Sequence, residues 1–251
     1  MALIEYTIVS SVATVSLNRA ERRNALNNDM IITLTQLFEE LADNEKVRVV
    51  ILRGEGPCFC AGADIEEMKR RTDLSALESL LALVGNFPKP LVGLVHAAAI
   101  GGGLGLVACC DVVFTLGKTI FSLSEVRLGI LPAVIMPYVK RKIGFSQLNR
   151  YMLTAECFDE VKAREFDLVH EHYSGQDELD AAVKSLCEEL IKGAPGAQAA
   201  SKQLLRYIDE SDFNTIRKVA EETITRQRRE DEAQEGLQAF IDKRPPSWFP
   251  Q

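Results

Sequence analysis

The sequence predicts an α/β domain built from repeated strand–helix crossovers, followed by a run of helices. Three observations carry this expectation. Short β-branched runs, VRVVIL at 47–52 and PLVGLVH at 90–96, suit strands buried on both faces. Segments of helical spacing alternate with them at short intervals, the pattern of crossover connections. Beyond about residue 140 the strand signals give way to helical ones.

The elements follow in order. Residues 8–17, IVSSVATVSL, have strand composition, and the polar RAERRNALNN at 19–28 reads as a turn. Over 30–41 a helix is predicted, because Ile31, Leu34, Leu37, Phe38 and Leu41 share one face. After the strand at 47–52, residues 54–62 break the chain. ADIEEM at 63–68 then opens a helix with acids in its first turn. A helix at 74–84 stops before Pro88 and Pro90. The strand at 90–96, a short helix at 102–110 and a strand at 112–116 complete the crossovers. Helices are expected at 145–153, 180–192, 197–208 and 212–231. The charged TRQRRED of the last reads as a solvated face. The chain is therefore divided into a core, 1–190, and a helical C-terminal region, 191–251.

Composition narrows the function classes. The 251 residues are 47% hydrophobic and 26% charged, and the net charge of −7 argues against a nucleic-acid partner. No apolar run reaches the roughly 18 residues of a membrane span. The N-terminus lacks the basic, apolar and small-residue regions of a signal peptide. A reducing cytoplasm is the expected location, with no membrane partner. The cysteines at 58, 60, 109, 110, 157 and 187 form no CxxC pair and read mostly as small buried hydrophobes. His170 and His172 offer too few ligands for a metal site.

The stretch IGGGLGLVACCD at 100–111 needs a reason for its glycines, since glycine costs chain entropy and packs nothing. At the mouth of a helix, glycine lets a ligand reach free backbone N–H groups. The spacing matches neither GxGxxG nor a P-loop. An oxyanion site, where N–H donors meet charge growing on a carbonyl oxygen, is one use. A tight packing turn is the other. PCFCAGADIEEM at 57–68 likewise follows a buried strand and places small residues before a helix, so two such turns could each supply one N–H.

Here the chain resembles the crotonase (enoyl-CoA hydratase/isomerase) superfamily. FCAGADIEEM, HAAAIGGGLGLVACCD and FSLSEVRLGILP are similar to its signature regions in order. LNRAERRNAL and EGLQAFIDKRPPSW are similar to its terminal ones. The resemblance implies a crotonase-like spiral of ββα turns with a C-terminal helical trimerisation region, assembled as a homotrimer or a dimer of trimers. It implies an acyl-CoA thioester substrate, with coenzyme A as part of that substrate and neither a redox cofactor nor a metal. By position, the oxyanion N–H groups are those of Ala63 and Gly102, and Glu125 is the acid–base residue. Arg23 and Ala25 flank the pantetheine or phosphates. Ala61, Asp64 and Ile65 line the adenine side, mostly through backbone. Phe240 and Lys243 reach CoA from the C-terminal region, of the same or a neighbouring subunit, although packing of the last helix would also account for Phe240.

Many hydratases of the superfamily carry two glutamates, and at the first position this chain has Gly105. A single Glu125 suffices to move a double bond from C3 to C2, which favours an isomerase. The longer stretch through SLSEVRLGILPAVIMPYVKRKIG is similar to a bacterial branch associated with 3-methylglutaconyl-CoA hydration, in which the first glutamate is also absent. The expected activity is therefore hydration of a branched 2-enoyl-CoA. A Δ3–Δ2 isomerase is the alternative, and a decarboxylase on glutaconyl thioesters or a non-catalytic acyl-CoA binding protein lies further off. A glutaconyl carboxylate would want a cation, for which Arg127, Lys140, Arg141 and Lys142 are candidates; solvated charge is their ordinary role. Asp111 reads as a turn or cap group.

Overall fold

The computed structural model describes residues 2–70, 73–210 and 212–249, with only the backbone at 209 and 210. The first expected strand is instead a hairpin. Strands β1 (Ile4–Val9) and β2 (Val12–Leu17) pair antiparallel around Ser10 and Ser11. Both serines have positive φ, 47° and 64°, as a two-residue hairpin turn of matching twist requires. Helix α1 (Asn28–Asp43) starts at Asn27, whose side chain accepts from the Met30 N–H at 3.1 Å. It buries the expected face, with Met30 added.

Strand β3 (Val49–Gly54) alternates between two cores, which explains its unbroken apolar run. Val50 and Leu52 face the main core with α1. Val49 and Ile51 face a smaller one. Next come α2 (Ile65–Met68), α3 (Ser75–Gly85), β4 (Leu91–Ile100), α4 (Gly102–Cys109) and β5 (Val112–Ser122). Strands β4 and β5 run past their expected ends at 96 and 116. Their register shifts between His96 and Ala98, where Ala97 has φ 56°, so the ladder continues beyond an irregularity that alternation does not reveal.

Helix α5 (Met136–Thr154) starts before the expected 145 and breaks direction at Gly144. Strand β6 (Phe158–Asp159), helix α6 (Glu160–Glu165) and strand β7 (Glu171–Tyr173) come after it. The sheet order is β1-β2-β3-β4-β5-β6, with β7 also on β5; the pairs from β2 to β5 are parallel. Helix α7 (Gln176–Lys192) covers the second sheet face with Leu179, Val183, Cys187 and Ile191. The helix expected over 212–231 is shorter. After α8 (Pro195–Glu210), α9 (Phe213–Gln227) ends and α10 (Asp231–Ile241) begins separately.

The C-terminal helices are tied to the core by partly buried charge. Lys202 on α8 donates to Asp111 and to the Lys89 carbonyl (2.6 Å), while Asp111 accepts from the Leu91 N–H at 2.7 Å. Asp111 thus links the start of β4 to α8, a wider role than the local turn or cap read from sequence. Arg48 donates to the carbonyls of Ile191 and Trp248, both at 3.2 Å. Cys58, Cys60, Cys109, Cys110 and Cys187 are buried and Cys157 is exposed; all six thiols are free. His170 Nδ1 accepts from the Val113 N–H at 3.1 Å, pinning β5. Among the described residues no helix is long and apolar enough to cross a membrane.

Candidate active site

Two turns place backbone donors. In the first, Cys60 pairs with Ala99 on β4: Cys60 N–H donates to Ala98 O (3.1 Å) and Ile100 N–H to Cys60 O (3.0 Å). A little further on, Leu26 N–H donates to Gly62 O at 2.7 Å and Asp64 N–H to Leu26 O at 2.9 Å. A parallel bridge uses the groups flanking Ala63, so its own N–H points away from Leu26. Asp64 anchors the start of α2. Its carboxylate accepts from Glu66 N–H (3.0 Å) and Glu67 N–H (3.2 Å), capping the helix, and pairs with Arg19 at 2.7 Å. The hydrogen bond from Arg19 holds the Asp64 carboxyl below the usual range.

The second turn opens α4. Gly101 has φ 49° and ψ −118°, a conformation that suits glycine, and its N–H donates to Ser122 O at 2.9 Å. Gly102 is the first helical residue, so its N–H has no intrahelical acceptor. The next glycines answer to space rather than to φ. A Cβ on Gly103 would lie 2.7 Å from Cys60 Cβ, and one on Gly105 would lie 2.6 Å from Ile135 Cγ2. The two turns therefore touch: α4 rests on the residue that opens the Ala63 loop.

Ala63, Gly102 and Glu125 line one cavity of about 90 Å³. Glu125 opens a single 3-10 turn, 125–128, after β5. Its carboxylate lies against Gly101, where a Cβ would come within 2.9 Å of Oε1. Its Oε2 is buried with no hydrogen-bond partner. Burial pushes its pKa up, and its own backbone N–H opposes that only in part. The slot beside Gly105 is filled by Ile135, 3% exposed, with Leu81 behind it. Among the described lining residues only Ser124 and Glu125 have polar side chains.

The other expected residues are placed unevenly. Ala61 and Ile65 line the same cavity. Exposed Arg23 adjoins it through its carbonyl, which accepts from Ala61 N–H at 2.9 Å, and the Ala25 carbonyl accepts from Arg19 Nη1 at 2.8 Å. The Asp64 side chain is taken up by the α2 cap and Arg19, and the residue lines a small side pocket instead. Phe240 and Lys243 do not line the cavity of their own chain. Phe240 is 85% exposed, which removes core packing as its explanation. Arg127, Lys140, Arg141 and Lys142 are also absent from the lining. Arg141 instead lines a cleft of about 620 Å³ between α5 and helices α8 and α9, where neither turn contributes a donor.

Sequence reasoning missed three residues. Buried Asn24 binds the segment before α1 to the loop after β3, its Nδ2 donating to Cys58 O (2.9 Å) and Phe59 O (3.1 Å). Ser124 and Ile135 both lie in stretches already singled out, SLSE and PAVIMPY. Only their neighbours in space give them meaning.

A family model described as enoyl-CoA hydratase/isomerase matches residues 7–251. The chain belongs to the enoyl-CoA hydratase/isomerase family. It is 31% identical over 243 residues to a 2,3-dehydroadipyl-CoA hydratase of Escherichia coli, covering 94% of each chain. It is 28% identical over 248 residues to the mitochondrial methylglutaconyl-CoA hydratase of Mus musculus, covering 94% of this chain and 79% of that one. The crystal structure of an enoyl-CoA hydratase from Shewanella pealeana superposes with a TM-score of 0.93 at 37% identity, covering 98% and 96%. As a family member the protein is an enzyme acting on a CoA thioester, and its fold is the crotonase-like arrangement of ββα repeats with a helical C-terminal region.

Proposed function

We propose that this enzyme adds water across the C2=C3 bond of a branched 2-enoyl-CoA, with Glu125 as its acid–base group. The observation that carries the reading is the presence of Ala63, Gly102 and Glu125, whose Oε2 has no hydrogen-bond partner, on one apolar cavity. The two N–H groups receive the thioester oxygen, each contributing about 3 kcal/mol to the enolate-like transition state. Water attacks C3, Glu125 takes its proton, and the same proton passes to C2. Arg23, Ala25, Ala61 and Ile65 hold the CoA portion. Asp64 keeps its loop in place, and Phe240 and Lys243 reach the CoA of a neighbouring subunit in a trimer.

The test is steady-state hydration of 3-methylglutaconyl-CoA and of 3-methylpent-2-enoyl-CoA, which carries a methyl group in place of the second carboxylate. The cavity lining, without a described cation, favours the second substrate. Glu125→Gln is expected to lower kcat about 100-fold or more. Because burial raises the Glu125 pKa and the base form is needed, the acidic limb of kcat/KM should lie above the ordinary glutamate range. A non-catalytic binding protein would release every thioester unchanged.

The filled slot at Gly105 supports a second reading, a one-base Δ3–Δ2 isomerase. Turnover of a 3-enoyl-CoA with no hydration of any 2-enoyl-CoA would select it.

A further inference from the structure

Hydration needs more than a base. The attacking water must be held by a second group while Glu125 removes its proton. The cavity wall limits the choice. Beside Gly105 there is no room for a polar side chain, because Ile135 Cγ2 would already lie 2.6 Å from a Cβ there. The lining on the α3 side is apolar, as is that from Leu128 to Ile135. Ser124 is the one described lining residue besides Glu125 with a polar side chain.

The Ser124 hydroxyl is also not taken up as a cap. The residue occupies the N-cap position of the 125–128 turn, where serine commonly accepts a hydrogen bond from the turn's own N–H groups. Here its backbone is helical, φ −82° and ψ −4°, which leaves the side chain without a capping bond, and its carbonyl accepts from the Arg127 N–H at 3.1 Å. On the next residue, lining the same cavity, Glu125 Oε2 is buried without a partner. An uncapped hydroxyl and a partnerless carboxylate oxygen on adjacent residues together suit a water molecule.

We propose that the Ser124 hydroxyl holds the attacking water beside Glu125. The inference rests on the hydratase reading above. One water hydrogen goes to the Glu125 carboxylate, and the other is hydrogen-bonded to Ser124 Oγ. The water oxygen forms its bond to C3 as the C2=C3 pair moves into the enolate. The carboxyl proton then passes to C2, which restores the carboxylate. Ser124 neither gains nor loses a proton.

The test compares Ser124→Thr with Ser124→Val, which have nearly the same shape and differ by the hydroxyl. Hydration of 3-methylpent-2-enoyl-CoA is followed for both, with isomerisation of a 3-enoyl-CoA, which uses Glu125 but no added water, as the control. Valine is expected to lower the hydration kcat about tenfold or more relative to threonine. KM and the isomerisation rate should stay close to those of the threonine variant. Equal hydration by the two variants overturns the role. So does a parallel fall in both reactions, which would mark Ser124 as structural. A wild-type enzyme that isomerises but hydrates nothing fails the hydratase reading itself, and the water-holding role falls with it.

Discussion

The two turns that present Ala63 and Gly102 do the same job by different means. The first stands near the surface and is held by directed bonds: the Leu26 bridge, the Asp64 cap and the Arg19 ion pair. The second is held by shape. Every residue of α4 is buried, and Gly103 and Gly105 lie against Cys60 and Ile135 with no room for a methyl group. A donor fixed by polar contacts should respond to charge and pH. One fixed by close packing should respond to added volume. The contact between Gly103 and Cys60 joins the two turns into one unit.

Gly103→Ala should have the largest effect. Its Cβ would meet both Cβ and the backbone oxygen of Cys60, at 2.7 and 2.8 Å, and neither contact is with the far end of a flexible side chain. A loss of about 3 kcal/mol in denaturant unfolding is expected for such overpacking, together with lost activity as the Ala63 loop moves. Wild-type stability in this variant would break the idea of a rigid joint.

Gly101→Ala comes next. The residue would carry an unfavourable conformation worth about 2 kcal/mol and would crowd Glu125 Oε1. Because the crowded group is Glu125, kcat should fall by more than the stability change explains. Steady-state kinetics beside thermal unfolding would show whether the turn positions the carboxylate.

Asp64→Ala should have the smallest effect, about 1 kcal/mol for a lost N-cap. Its pH dependence sharpens the contrast. Arg19 lowers the folded-state pKa of Asp64, so the contribution is present above the unfolded value of about 4 and is lost as pH falls through the folded one. The wild-type stability advantage over Asp64→Ala should shrink on acidification. The loss in Gly103→Ala should not follow that titration.

Where a local pattern decided the structure, the sequence was legible. Helical spacing identified α1 with its buried face, and the β-branched run at 47–52 marked β3. It was not legible where a positive φ or a distant neighbour decided. Ser10 and Ser11 fold one expected strand into a hairpin, and Ala97 lets β4 continue past a bulge, although neither serine nor alanine announces a left-handed backbone. The helix expected over 212–231 stops at Gln227 and a separate α10 starts at Asp231, because charged residues on both sides of the break suit a helix equally well and do not mark it.

By itself, then, the sequence determined the alternation of strand and helix through the crossovers, the two glycine-bearing turns and the placement of Glu125 in an apolar stretch, because these depend on periodicity and on residue type. The tertiary structure alone decided that the space beside Gly105 is filled by Ile135, far along the chain, that Asn24 stitches the segment before α1 to the loop after β3, and that Asp111 reaches Lys202. It also set Ser124 and Glu125 as the polar groups of one cavity among the described residues. The physical reason is the same in each case. Packing and desolvation depend on which atoms meet in space, and a crossover fold brings together residues that the chain keeps far apart.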